Sequence, residues 1–455
     1  MMVSQRQGMV EGRPNVVVVG GGFGGVNCVR ALRRTDANVI LVDRNNHALF
    51  QPLLYQVTTG VLTDSAIATP LRRIFEGDRH VTILRGLVER IDLEAKQIEV
   101  NGRTLCWDQL VIAAGMENNY FGREDWKSHA PGMKTLSEAT SIRARILDAF
   151  EKAESAFAIG DSSEVKPYLT FAVVGGGATG VELAGAIKQL AVDRIAGEFK
   201  SLDVSQARVI LMDGGPRLLS SMSVRSSQAA HRTLEKYGVE IRLNCQVTDV
   251  SSDGVRIGEE FIDARTVIWA AGVTGSPLAN QINEQLQLTP ARGNRVPVNP
   301  DLTVGDRTDL RVIGDLAYLK DPRSDKEIPG VAQGALQMGT YAGRDIARQL
   351  RGRRAAAPRP FTYFDKGMMA TIGKGRAVLD SFGVHMSGFP AWVVWALIHI
   401  AFLINSRSRF TAIWSWSWAY VFNNGINELI IEPEGESEES EDDPGIPAAA
   451  PGAAG

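Results

Sequence analysis

Two stretches of this sequence carry glycines at a spacing suited to phosphate chemistry. Gly20, Gly22 and Gly25 follow the β-branched run Val16–Val19, and Gly175, Gly177 and Gly180 follow Phe171–Val174. In a G-x-G-x-x-G loop between a strand and a helix, the first glycine makes the turn. The second lets a pyrophosphate approach the backbone, and the third packs helix on strand. Each loop is followed by an acid at the end of the next apolar run, Asp43 after Val39–Val42 and Asp213 after Val209–Met212. A carboxylate there accepts hydrogen bonds from ribose hydroxyls. One such loop is a weak signal; two with the same punctuation make a strong one. Asp213 repels a 2′-phosphate and so favours NADH over NADPH, a preference that Arg217, four residues on, tempers.

Two dinucleotide sites imply two cofactors, and the economical pairing is a bound flavin with an exchangeable nicotinamide. Gly314-Asp315, at a strand end, suits ribityl hydroxyls. A helix beginning near Val331 would aim its positive end at the flavin's pyrimidine edge, where two-electron reduction places negative charge. In that helix Gln333 and Gln337 are i and i+4 and share a face.

The elements that must position these residues read as α/β. Val16–Val19, the helical VNCVRALRR and Val39–Val42 form one βαβ unit, and the pattern returns from Phe171 to Met212. The second gap, from Gly175 to Asp213, is 38 residues, with the extra length expected in a longer helix and loop around 193–205. Leu110–Ile112 and Val267–Trp269 each end in an Ala-Ala-Gly turn, and Leu310–Ile313 returns the chain to the first unit. The expected fold is two nested Rossmann-like domains, an FAD domain at 14–135 and 293–385 around an NADH domain at 136–292. Residues 386–425 are expected to form an apolar, membrane-associating helical region, and 432–455 a disordered acidic tail.

Composition agrees with a sizeable core: 455 residues, 44% hydrophobic and 22% charged. The net charge of −3 becomes +5 once the eight acidic residues of 432–443 are set aside. Nucleic acid is not implied, and a mildly basic body suits an anionic membrane surface. Cys28, Cys106 and Cys245 form no CxxC pair, which speaks against disulfides, a metal site or a redox dithiol. The polar N-terminus carries no secretory signal, so a reducing, cytoplasmic setting is expected. Residues 389–404 are apolar apart from His399. As a helix they span about 24 Å, short of a hydrocarbon core of about 30 Å. Five of the eight tryptophans lie between 392 and 418, as at a membrane interface. His385 and His399 are read as lone histidines holding no ligand.

The motifs GGGFGG at 20–25, FQPLLYQ at 50–56, AAG at 113–115, GGGATGVE at 175–182, AGV at 271–273, GD at 314–315, AQGALQMG at 332–339 and YFDKGMMATIG at 363–373 resemble the two-dinucleotide-binding flavoprotein reductases. Among them the chain is similar to type II NADH dehydrogenases, most of all actinobacterial ones, over residues 14–425. Departures are AAG for the usual ATG and Asp213 for a frequent Glu. The resemblance implies hydride transfer from NADH to FAD and two-electron transfer to a membrane quinone, menaquinone or ubiquinone, without proton pumping. It implies FAD at Gly20, Gly22, Phe23, Gly24, Gly25, Asp43, Arg44, Ala114, Gly115, Asp315, Ala332 and Gln333. NADH would meet Gly175, Gly177, Thr179, Gly180, Glu182, Asp213 and Gly272. Catalytic roles fall to Glu182, which would steer the dihydropyridine or relay a proton, and to Gln333 and Gln337 at the quinone end. No metal is implied. A homodimer, peripheral on the cytoplasmic face of the cell membrane, is what the resemblance suggests. The alternatives are a related reductase with another acceptor (ferredoxin, or sulfide with quinone) and a non-catalytic NADH sensor.

Overall fold

Val16, Val17 and Val18 have no exposed surface, as β-branched residues at the centre of a sheet covered on both faces should not. They belong to β1 (Asn15–Val19), which leads through Gly20–Gly22 into α1 (Phe23–Leu32) and back to β2 (Asn38–Asp43), parallel to β1. The short α2 (Leu54–Thr58) follows, then β3 (Val81–Arg85) and β4 (Gln109–Ile112). The 24-residue α3 (Leu136–Ile159) opens with a capping box in which Thr135 and Glu138 satisfy each other's backbone N–H. A second parallel sheet then forms from β5 (Thr170–Val174), β6 (Arg208–Met212), β7 (Val239–Arg242) and β8 (Thr266–Trp269), with α4 (Ala178–Gln189) after β5. Its order is β7-β6-β5-β8. The computed structural model describes residues 12–353, 359–422 and 429–430, so the acidic tail at 432–455 lies outside it.

β9 (Thr303–Val304) and β10 (Arg307–Val312) return to the first sheet, whose order is β9-β10-β4-β1-β2-β3. Strands from either side of the second sheet thus share the first. α5 (Ala332–Leu350) then packs on α1. A Cβ at Gly339 would lie 2.1 Å from the Gly24 carbonyl oxygen, so the last glycine of AQGALQMG lets the helix axes approach. A buried ion pair at 2.7 Å ties Arg311 of β10 to Asp345 of α5, and Gln109 of β4 accepts from the same guanidinium at 2.9 Å. Such a pair fixes geometry, and losing one partner costs about 3–5 kcal/mol.

β11 (Met368–Gly373), β12 (Arg376–Ser381) and β13 (Val384–Gly388) form an antiparallel sheet. Ala370, Ile372, Val378 and Leu379 of this sheet share a core with Ile187 of α4 and Leu234, and Gly185 of α4 accommodates the Ile372 backbone. The sheet therefore sits on the second unit, and the expected limit at 385 falls inside β13. α6 (Phe389–Phe402) and α7 (Ser406–Phe422) follow. No helix of the described residues is long and apolar enough to cross a membrane. Instead Ala391, Trp395, Ala396, Ala412 and Trp416 are buried in the main core, with the Trp395 and Trp416 rings 5.4 Å apart. The extra length of the second loop, expected as helix and loop, is a π-turn at Leu190–Arg194 extending α4 and a short 3₁₀ turn at Val204–Gln206.

Candidate active site

The first glycine loop turns at Gly20, whose φ of +107° is closed to most side chains. A Cβ at Gly25 would lie 1.8 Å from the Gly20 carbonyl oxygen, so helix and turn interlock only with glycine there. The second loop repeats this atom for atom, with φ +118° at Gly175 and the same 1.8 Å between Gly180 and the Gly175 oxygen. Nothing lies within 4 Å of a Cβ built on Gly22 or Gly177, which leaves both open to a ligand. The strand-end acids behave alike. Asp43 accepts from the Gly21 N–H at 2.5 Å and the Asn45 N–H at 2.6 Å, and Asp213 from those of Gly176 at 2.5 Å and Gly215 at 2.7 Å. A carboxylate has about four acceptor positions, so each retains capacity for ribose hydroxyls. The Arg217 guanidinium donates to the Leu219, Ser220 and Met222 carbonyls.

A cleft of about 460 Å³ runs from the first loop to the first turns of α4. Gly20, Gly22, Phe23, Gly24, Asp43, Arg44, Ala114, Gly115, Asp315 and Ala332 line it, and Thr179 and Glu182 reach it from α4. The first turns of α1, α4 and α5 all border this one space, and none of the three has a side-chain cap. Each presents unsatisfied N–H groups and a positive dipole end, so the cleft is built for an anionic ligand of more than one charged part. Gly175, Gly177, Gly180, Asp213 and Gly272 are not among the residues bordering it, and a Cβ at Gly272 would meet the ring of Phe121. Gly25 is packed beneath the first loop rather than facing the space.

Gln337, expected at the quinone end, has its amide engaged elsewhere. It donates to the Phe364 carbonyl at 3.0 Å and accepts from the Phe364 N–H at 2.9 Å, tying α5 to the approach to β11. Neither Gln333 nor Gln337 is among the residues bordering the cleft, although Ala332 and Ala335 are. Glu182 is better placed. Burial raises its carboxyl to about 8, against hydrogen bonds from the Thr371 N–H, at 3.2 Å, and the Thr371 hydroxyl, which pull it back.

Among the residues of this wall that were not candidates in the sequence are Lys134, His399 and Tyr55. Lys134 borders the cleft and faces Asp315; burial lowers the Lys134 ammonium and raises the Asp315 carboxyl, and each pulls the other back toward its charged form. The capping box that starts at Thr135 is the sequence signal that could have found it. His399, read as holding no ligand, lines the cleft as neutral wall: burial lowers it to about 4, and its Nδ1 faces the Trp395 carbonyl at 2.8 Å. Tyr55 of α2 closes the same end. All three cysteines are free; Cys28 is buried, which pushes its thiol up to about 12, and no cysteine borders the cleft.

Residues 14–339 match the pyridine nucleotide-disulphide oxidoreductase family. Two proteins of Mycobacterium tuberculosis, the type II NADH:quinone oxidoreductases Ndh and NdhA, are each 40% identical to this chain, covering 90% of it and 88% of their own length. The chain belongs to the type II NADH:quinone oxidoreductases. In fold it is similar to NDH2 from Plasmodium falciparum in complex with NADH, with a TM-score of 0.81 and 20% identity over 92% of this chain and 100% of that one. A type II NADH:quinone oxidoreductase passes electrons from NADH to a quinone, so this chain is an NADH dehydrogenase. The disulphide in the wider family's name has no counterpart at this cleft, where Glu182, Tyr55 and His399 stand instead.

Proposed function

We propose that the cleft holds FAD, with Gly20, Gly22, Phe23, Gly24, Asp43 and Arg44 at its adenosine and pyrophosphate end and Ala114, Gly115, Asp315 and Ala332 at its ribityl and ring end. The supporting observation is the convergence of three uncapped helix N-termini on one space bordered by both glycine units. Bound FAD supplies two-electron acceptance from a hydride donor and release to a quinone. The start of α5 stabilises negative charge at the ring end through its unsatisfied N–H groups. Gly175, Gly177, Thr179, Gly180, Asp213 and Gly272 bind NADH, and Glu182 holds the proton that quinone reduction consumes. Gln333 contacts the quinone, and Gln337 acts by fixing the segment at Phe364. The division into an FAD unit at 14–135 with 293–385 and an NADH unit at 136–292 rests on this division of labour, with the β11–β13 sheet within those limits packed on the NADH unit.

The second part of the reading concerns where the enzyme sits. Phe389, Val393 and Leu397 of α6 and Phe410, Ile413, Trp414 and Trp418 of α7 are exposed, Leu397 by 63% and Phe410 by 70%. Spaced three to four residues apart, they make apolar outer faces on helices whose inner faces are core. Such faces suit insertion into the headgroup boundary, on the cytoplasmic side, without crossing the bilayer. The enzyme is then a peripheral, non-pumping donor to menaquinone or ubiquinone, and a homodimer. The double variant Leu397→Glu/Phe410→Glu tests this with vesicles of phosphatidylglycerol and phosphatidylethanolamine. It should fail to sediment with them and lose reduction of long-tailed quinone while still reducing a water-soluble one. Undiminished vesicle binding would refute the assignment.

A further inference from the structure

One large apolar side chain stands in water beside the second glycine unit. Phe121 is 66% exposed, whereas Tyr120, Trp126 and Trp269 next to it are buried in one aromatic cluster. Its φ of +54° lies in the left-handed region, which bulky residues rarely enter. The conformation is held from several sides. The Phe121 N–H donates to Asn119 Oδ1 at 2.8 Å, and the Trp269 indole N–H donates to the Asn119 carbonyl at 2.9 Å. The Tyr120 hydroxyl donates to the Ala130 carbonyl at 2.9 Å, and Arg123 pairs with Asp249 at 3.0 Å. The backbone thus keeps the ring outside a cluster that buries its neighbours.

What the ring covers is Gly272. A Cβ built there would lie 2.7 Å from Phe121 Cζ, and Gly272 has a φ of +78°. Gly272 ends the Ala270-Ala271-Gly272 turn after β8, and that turn touches the second glycine loop: a Cβ at Gly175 would lie 2.5 Å from the Ala270 carbonyl oxygen. In the order β7-β6-β5-β8, both neighbours of β5 run parallel to it, so their carboxyl ends share one edge. Ligands of such sheets bind outside that edge. Along it stand Asp213 after β6, the glycine loop after β5, and Gly272 with Phe121 after β8. With the adenosine ribose on Asp213 and the pyrophosphate at the loop, the nicotinamide half is left to the β8 side.

We propose that Phe121 is a substrate-binding residue whose ring is the apolar contact for the nicotinamide half of NADH, favouring the whole dinucleotide over its adenosine fragments. The proposal rests on the reading of the second loop as the NADH site. Met116–Asn118 pairs antiparallel with Val273–Gly275, so the ring and the glycine it covers leave the same end of one two-stranded ribbon. That ribbon is how a residue following the first unit's Ala-Ala-Gly turn comes to stand on the second unit's loop. A ring already fixed in place loses little freedom when a ligand arrives, and the contact removes apolar surface from water. Such a contact holds substrate and transition state alike, so it lowers KM without raising the rate of the bound complex.

The test is anaerobic stopped-flow reduction of the flavin-loaded enzyme by NADH, with AMP as a competing fragment. Phe121→Ala should raise the NADH concentration giving half the limiting rate about tenfold, the scale of one apolar contact in a pocket. The limiting rate, the flavin content and the inhibition constant of AMP should stay as in wild type. Phe121→Tyr keeps the ring and should match wild type throughout. A wild-type NADH dependence in Phe121→Ala would overturn the assignment, and so would AMP weakened as much as NADH, which makes the residue structural. Gly177→Val separates this from the reading beneath it. A Cβ there meets nothing within 4 Å, so the loop can keep its form while the side chain occupies the path of the pyrophosphate, and reduction by NADH should be lost. If Gly177→Val is reduced like wild type, the second loop is not the NADH site and that reading fails first. If it loses reduction while Phe121→Ala matches wild type, the loop stands and the role of Phe121 is refuted.

Discussion

Gly25 and Gly180 occupy the same place in two loops, each 1.8 Å from a carbonyl oxygen at the Cβ position, yet their loss should be felt by different ligands. Gly25→Ala forces the first turn apart and should yield protein that loses FAD on gel filtration, measured by flavin absorbance. Gly180→Ala should keep its flavin but be reduced by NADH more slowly, on the order of a hundredfold for a misplacement near 1 Å. The opposite pattern, flavin lost with Gly180→Ala alone, would exchange the two sites. At this scale the glycine loops and strand-end acids were legible because their spacing is local, and at Gly20, Gly25, Gly175 and Gly180 the turn leaves no room for a side chain. Lys134, Tyr55 and His399 were not, since each reaches the cleft from a distant element through tertiary packing.

The helix α5 shows what spacing alone leaves open. Gln333 and Gln337 share a face in the sequence, but whether that face meets a ligand depends on what else packs there. The Phe364 backbone, 27 residues on, takes both hydrogen-bonding groups of Gln337. Gln337→Ala should therefore lower thermal stability, by about 1 kcal/mol for lost hydrogen bonds in a partly exposed site, and disturb both half-reactions alike. Gln333→Leu should slow reoxidation by quinone far more than reduction by NADH. Equal effects of Gln333→Leu on both half-reactions would remove it from the quinone end. The C-terminal pair is a second such element. Its tryptophans were read as interfacial, and Trp414 and Trp418 are exposed, but Trp395 and Trp416 are core. Periodicity could not separate the two faces, because both are apolar.

Across the whole molecule, the nesting of one nucleotide unit within strands of the other was visible in the order of apolar runs and small-residue turns. The seating of the β11–β13 sheet was not, because its contacts with α4 and Leu234 cross more than 100 residues of sequence. That sheet matters to function: it delivers Thr371 to Glu182 and carries the chain into α6 and α7. One cleft is thereby bordered by both glycine units and, through His399, by α6 within a single chain. The central claim is that both half-reactions pass through this cleft. Anaerobic stopped-flow at the flavin band tests it most directly, with NADH added first and a short-chain quinone second. The band should bleach with one equivalent of NADH and recover with one equivalent of quinone. A flavin that bleaches but does not recover with quinone, or does not bleach at all, would contradict the account.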